Sequence, residues 1–209
     1  MKIRKDLVLR VSFVANIFLG FVYIYDVSST RRYGSSYISY LQEAQSYYLG
    51  ETDYKMITSS KGPIKDPAGH LWHHLWFYFA HLYTIRAEQI IKLAYIVIHS
   101  LTNYVVGELA YMYSVNKKNA QLIVLMLLAS QRTRYLHSMM FDDEFAVLLL
   151  VSAIYFVSWN RPVLASWFIT MSLGLKSDAL YVVPAFLGVV MVNFGVLNFG
   201  KSLVCIVGM

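Results

Sequence analysis

The chain has 209 residues, 57% of them hydrophobic and only 14% charged, with a formal net charge of +6 and a mean hydropathy of +0.49. That balance excludes an ordinary soluble globular domain. Nucleic acid is not an expected partner either, because the basic residues are scattered at the ends of apolar runs and form no patch interleaved with aromatics.

Backbone amides in lipid are satisfied only within helices or a closed barrel. The apolar runs are far longer than barrel strands and lack their alternation, so the expected fold is all-α, a polytopic helical bundle forming one membrane domain over residues 1–209. The first run, Leu7 to Tyr25, follows "MKIRKDLVLR". It is long for a signal-peptide core and is followed by no small-x-small pattern, so it reads as an uncleaved anchor. A long polar loop, residues 26–69, comes next. Within it, "SYISYLQEAQSYYLG" places Tyr37, Tyr40, Leu41, Ala44 and Tyr48 at helical spacings and ends on Gly50, which predicts a short amphipathic helix along the membrane surface with a glycine C-cap. "KGPIKDPAGH" then holds two prolines and two glycines within eight residues, the pattern of a rigid turn poor in hydrogen bonds.

Residues 70–83 are aromatic-rich but interrupted by four histidines, and they predict an interfacial or re-entrant helix at headgroup level. Further spans are expected at about 87–113, 120–136, 145–159, 162–175 and 180–199, several of them shorter than the ~20 residues of a full crossing. Lys2, Arg4, Lys5, Arg10, Lys117, Lys118, Arg161 and Lys201 then share one side, which the positive-inside rule makes cytosolic. Full crossing by residues 70–83 would move every later loop to the other side. Under the six-span count, three polar segments face the lumen or exterior together: the loop from Asp26 to Arg86, "RYLHSMMFDDEF" and "GLKSDALY".

These segments hold the candidate chemistry. "FDDE", Asp142 to Glu144, opens an apolar helix, where carboxylates favour the positive end of the dipole. The same acids, turned into a cavity, could contact sugar hydroxyls or a cation near phosphate. "HLWHHLW" puts His70 and His74 on one helical face, but no HExxH-type motif accompanies them, so they read as interfacial residues and no metal site or cofactor is expected. The single cysteine, Cys205, has no partner for an intramolecular disulfide. Arg86, Arg132, Arg134, His137 and Lys176 are the cations of the presumed lumenal side. Each suits either a developing phosphate charge or snorkelling at a helix end. Asn16, Glu108 and Asn193 are the clearest polar residues in mid-span, the feature a transporter would need.

"YLQEAQSYYLGETDYKMITSSKGPIKDPAGH", "IRAEQIIKLAYIVI", "RYLHSMMFDDEFAVLLL" and "MSLGLKSDALYVVPAF" occur in that order between about Tyr40 and Phe186. Together they resemble the dolichyl-phosphate-mannose-dependent α-1,3-mannosyltransferases of the asparagine-linked glycosylation pathway. Those enzymes carry Tyr-hydrophobic-x-Glu, Gly-x-x-Asp-Tyr, Gly-Pro-hydrophobic-x-Tyr-Pro-Ala-Gly, Ile-Arg-x-x-Gln, Arg-x-x-His-Ser, Phe-Asn-Asp and Lys-Met-Asn at matching places. The resemblance implies a partial GT-C-like fold in a multi-pass endoplasmic reticulum protein with a lumenal active site. It implies mannose transfer, with inversion, from dolichyl-phosphate-mannose to the lipid-linked oligosaccharide Man(5)GlcNAc(2)-PP-dolichol. Membrane lipid would be a further partner.

The departures are informative. The family's Asp-Trp pair, the expected base, aligns with Ser36 and Tyr37; the tyrosine before Pro-Ala-Gly is Asp66; Lys-Met-Asn reads Lys176, Ser177, Asp178; and the chain runs to roughly half the family's usual length. The resemblance therefore makes Asp53, Asp66 and Asp143 the expected catalytic carboxylates, Asp53 and Asp66 as the nearest replacements for the base, Asp142 or Asp143 next, and Asp143 rather as an organiser of substrate. Asp142, Arg86, His137 and Lys176 are expected to bind substrate, the three cations on the phosphate side. The alternatives are a non-catalytic or fragmentary relative that binds lipid-linked sugar, and an unrelated polytopic membrane protein.

Overall fold

The computed structural model describes residues 5–28, 35–129, 140 and 143–208. The last part of the expected 120–136 span, together with Asp142 and His137, lies outside the described residues. The described chain is almost wholly helical. In order it forms α1 (Lys5–Ser28), α2 (Ser35–Tyr48), β1 (Thr58–Ser59), β2 (Gly62–Pro63), α3 (Ala68–Tyr83), α4 (Ala87–Tyr113), α5 (Lys117–Ala129), α6 (Asp143–Ser158), α7 (Pro162–Leu175), a 3-10 turn (Ser177–Val182) and α8 (Val183–Val207).

Length and composition qualify two stretches to cross a membrane, Ala87–Tyr113 and Ser177–Val207, and Leu7–Val22 and Pro162–Leu175 are shorter apolar helices. The 27 residues of α4 reach about 40 Å, beyond the ~30 Å hydrocarbon core. The architecture is that of an all-α protein with membrane-compatible helices.

The contacts fix the directions of the helices. Leu9 lies against Gly107 and Asn16 against Asn103, so α1 runs antiparallel to α4. His99 meets Glu144 while Tyr113 Oη bonds Ser158 Oγ at 2.6 Å, so α4 and α6 run side by side in the same direction. Ser172 Oγ donates to the Ala146 carbonyl at 3.1 Å, which pairs α6 with α7 as an antiparallel hairpin. Its tip turns on Asn160, at φ 57°, and Pro162 opens α7, where a missing N–H costs nothing. A core of Ala153, Ala165, Ile169, Val183, Phe186 and Val190 joins α6, α7 and α8. The alanines let the first two approach closely. Through this arrangement the start of α6 and the end of α7 share one end of the hairpin.

Two expectations need correction. The 180–199 span is not one rod, because Gly195 adopts φ 79° and ψ 172° and breaks α8. A straight helix would carry Cys205 roughly 33 Å from Val183. Instead Thr170 Oγ1 lies 3.4 Å from the Cys205 carbonyl, so the second half doubles back on α7. Only glycine enters that region of φ without a Cβ clash. The loop before α3, in turn, is not poor in hydrogen bonds. Thr58 and Ser59 pair with Pro63 and Gly62 in a small hairpin, closed by Ile64 N–H to the Ile57 carbonyl at 3.1 Å. Pro63 cannot donate, but Ile64 beside it can. Ile57, Ile64 and Leu71 bury together beneath this hairpin.

Candidate active site

The site is assembled from four pieces of chain. On α2, Tyr40 and Glu43 stand one turn apart. The helix ends on Gly50 at φ 104°, with Glu51 N–H returning to the Ser46 carbonyl at 3.2 Å, so the glycine cap stops it beside the hairpin. Asp66 precedes Pro67, which turns the chain into α3, and His70 follows one helical turn later. Asp143 is the first residue of α6. Lys176, in extended conformation (φ −138°, ψ 122°), ends α7 through its N–H to the Ser172 carbonyl at 2.9 Å.

What brings α3 to α7 is a contact between backbones. A Cβ added to Gly69 would lie 2.4 Å from the Gly174 carbonyl oxygen, so no side chain larger than hydrogen fits between the helices there. Asp66 and Lys176 flank this contact.

Lys176 Nζ sits between two carboxylates, 3.3 Å from Asp66 Oδ1 and 3.4 Å from Asp143 Oδ1. Its ammonium also lies 5.9 Å from the centroid of the Tyr40 ring, within cation–π range. Behind Asp66, the buried His70 places Nδ1 4.0 Å from Asp66 Oδ2 and Nε2 3.4 Å from Glu43 Oε2. Glu43 Oε1 accepts from Ser59 Oγ at 2.9 Å. Tyr54 Oη donates to the Asp66 carbonyl. Burial first, and then the charges of Asp66 and Glu43, push the Tyr54 phenol above its ordinary value. The side chains open progressively outward, from Glu43 at 9% exposed through Lys176 at 18% and Asp66 at 28% to Asp143 at 66%. The outer three are within reach of a ligand, whereas Glu43 and His70 form a backing.

The expected site residues separate accordingly. Asp66, Asp143 and Lys176 converge. Asp53 is exposed, and its carboxylate is engaged locally, accepting from Lys55 N–H at 3.0 Å. Arg86 is exposed just before α4. It follows the C-terminus of the 16-residue α3, about 24 Å of helix away from the Asp66 end. Ser36, at the place of the family's expected base, accepts from Lys61 Nζ at 2.7 Å. His70 and His74 are not interfacial: both are 0% exposed. The Tyr40 ring packs against them at 4.5 and 4.7 Å, and Trp72 and Trp76 take the exposed face of α3. Sequence reasoning gave no site role to Glu43, His70, Tyr40 and Tyr54, although Tyr40, Glu43 and Tyr54 lie in the Tyr-hydrophobic-x-Glu and Gly-x-x-Asp-Tyr motifs. The Asp66–His70 spacing of one helical turn was the available signal.

Among the described residues no cluster of three or more His, Cys, Asp or Glu side chains is placed to hold a metal ion. Chemically, the arrangement offers a carboxylate able to take a proton (Asp66), a cation able to meet an anion (Lys176), and a second, outer carboxylate able to accept from hydroxyls (Asp143).

The chain matches the family described as ALG3 protein over residues 11–209. It is 27% identical over 169 residues to two proteins of Drosophila melanogaster, named Dolichyl-P-Man:Man5GlcNAc2-PP-dolichol alpha-1,3-mannosyltransferase l(2)not2 and Alg3. Each match covers 78% of this chain but only 33% and 31% of those relatives, so the chain spans about a third of their length. No solved structure matches it. With nearly its whole length inside the family match, the chain belongs to the ALG3 protein family.

Proposed function

We propose that this chain carries the lumenal catalytic end of an α-1,3-mannosyltransferase, a multi-pass protein of the endoplasmic reticulum membrane with a partial GT-C-like fold. The donor is dolichyl-phosphate-mannose and the acceptor Man5GlcNAc2-PP-dolichol, the substrates named for the two relatives. The observation that carries the reading is Lys176 held between Asp66 and Asp143 at the junction of α3, α6 and α7.

Asp66 takes the proton of the acceptor hydroxyl as that oxygen attacks C1 of mannose from the face opposite the phosphate, so the anomeric configuration inverts. Ser36 cannot do this, because a hydroxyl bound by Lys61 is no base at neutral pH. Lys176 meets the charge that develops on the departing dolichyl phosphate. Two carboxylates already surround its ammonium, so an incoming phosphate displaces one of them. Asp143, the more exposed, is the one free to swing toward acceptor hydroxyls. His70 and Glu43 keep Asp66 from following it.

The test is transfer of mannose by the purified protein in lipid, with both substrates supplied. We expect turnover in the parent and a loss of about 10²–10³ in kcat for Lys176→Ala. Full activity of that variant removes the site assignment, and an inactive parent that still binds donor makes the chain a binding relative.

A further inference from the structure

We propose that Asn16, Asn103, His99 and Glu144 form a chain of positioning residues that fixes where Asp143 stands; the inference rests on the mannosyl-transfer reading above. These residues lie outside the site, and Asn16 and Glu144 have no role in the chemistry just described. Asn16, His99 and Asn103 are each 8% exposed and come from α1 and α4, while the Glu144 side chain, at the start of α6, is 12% exposed.

The hydrogen bonds along the chain run in one direction. The Ser12 carbonyl can only accept, so Asn16 turns its amide nitrogen toward it at 3.0 Å. Asn16 Oδ1 is then left to accept from Asn103 Nδ2 at 3.3 Å. The same nitrogen directs its second N–H to His99 Nε2 at 2.8 Å. With Nε2 accepting, the ring proton resides on Nδ1, which faces Glu144 Oε1 at 3.6 Å. The backbone of α1 thereby dictates the tautomer of a histidine on α4, and that tautomer turns its N–H toward a carboxylate on α6.

Consecutive residues on a helix diverge by about 100°. Turning Glu144 inward onto His99 therefore sets the bearing of Asp143, which points out of the bundle at 66% exposure and meets Lys176 at 3.4 Å. Apolar packing of Ala146 and Leu149 against Leu175 restrains the same helix. Such packing is tolerant of small rotations, whereas a buried donor left without its acceptor is costly.

Coupling tests this. In mannosyl transfer, His99→Leu is expected to lower kcat by the same factor as Asp143→Asn, about tenfold, with KM for dolichyl-phosphate-mannose changed less than about twofold. The double variant is expected to be no slower than the slower single, and His99→Asn, which keeps an N–H near Nδ1, to recover most of the rate. Additive losses would overturn the proposal, since a merely structural role predicts them. Nitrogen-15 solid-state NMR of histidine-labelled protein reads the tautomer without any turnover, the His99 signal being the one absent in His99→Leu. Protonated Nδ1 with bare Nε2 in the parent supports the chain of bonds. Protonated Nε2 in the parent refutes it. An inactive parent with protonated Nδ1 separates failure of the transferase reading from failure of this one.

Discussion

Two polar clusters in this molecule differ in almost every respect. The outer one, Asp66, Lys176 and Asp143, is built of full charges, is open to ligand, and joins loop, α6 and α7 through ion pairs of 3.3 and 3.4 Å. The inner one, from Asn16 through Asn103 and His99 to Glu144, is mostly neutral, buried, and directional. Charges in partial contact with water can exchange partners at small cost, which suits an encounter with phosphate and sugar. Amides and imidazole in a low-dielectric interior cannot, which suits holding a helix at one bearing. On the proposed reading, the reachable polar groups serve the chemistry and the unreachable ones the geometry.

The contrast can be broken at several points. Asp66→Asn keeps the shape but removes the proposed base, and a fall in kcat of about 10²–10⁴ is expected at neutral pH, with donor binding by titration nearly unchanged. Retained turnover would move the base elsewhere. Gly69→Ala attacks the junction rather than the chemistry. Its methyl group meets the Gly174 carbonyl at 2.4 Å, so the two helices must part. Thermal unfolding is expected to show a loss of about 1–3 kcal/mol, with mannose transfer reduced although no ligand-facing group has changed. A neutral result would mean that the backbones approach less closely than described.

Tyr54 sharpens the boundary between outer charges and their buried support. Its folded pKa lies above the ordinary 10.0 because burial and two carboxylates oppose the phenolate. The folded state therefore holds this proton more tightly than the unfolded one. The stability so gained is fully present below pH 10 and is lost as pH rises through the higher folded value. Unfolding followed into the alkaline range should show this loss in the parent and a flatter profile in Tyr54→Phe. The smallest effects belong to residues that the structure sets apart: Asp53→Asn and Arg86→Ala should each leave transfer within about twofold of the parent, as surface substitutions do. A larger effect from either would enlarge the site.

Much of this was readable in the sequence because it is local. Apolar runs placed the spans, Gly50 was legible as the cap of α2, and the resemblance offered Asp66, Asp143 and Lys176 alongside Asp53, Asp142, Arg86 and His137. What escaped was long-range or lay in the backbone. Nothing near His70 announces Glu43 across the α2–α3 packing, and an imidazole between tryptophans reads as headgroup-level until Tyr40 is seen to cover it. Gly195 sits in an apolar run like any small residue of a membrane helix. Only its positive φ reveals that α8 turns back there. Asn16 stood out among the mid-span polar residues, and its partner across helices, Asn103, came from α4.

The bare crossing of Gly69 and Gly174 behaves as a fulcrum without padding. With no side chain to compress, α3 can only pivot against α7, and any tilt changes the gap between Asp66 and the ammonium opposite it. Trp72 and Trp76 stand exposed on the outer face of the same helix, so whatever that face meets acts on the gap through this crossing.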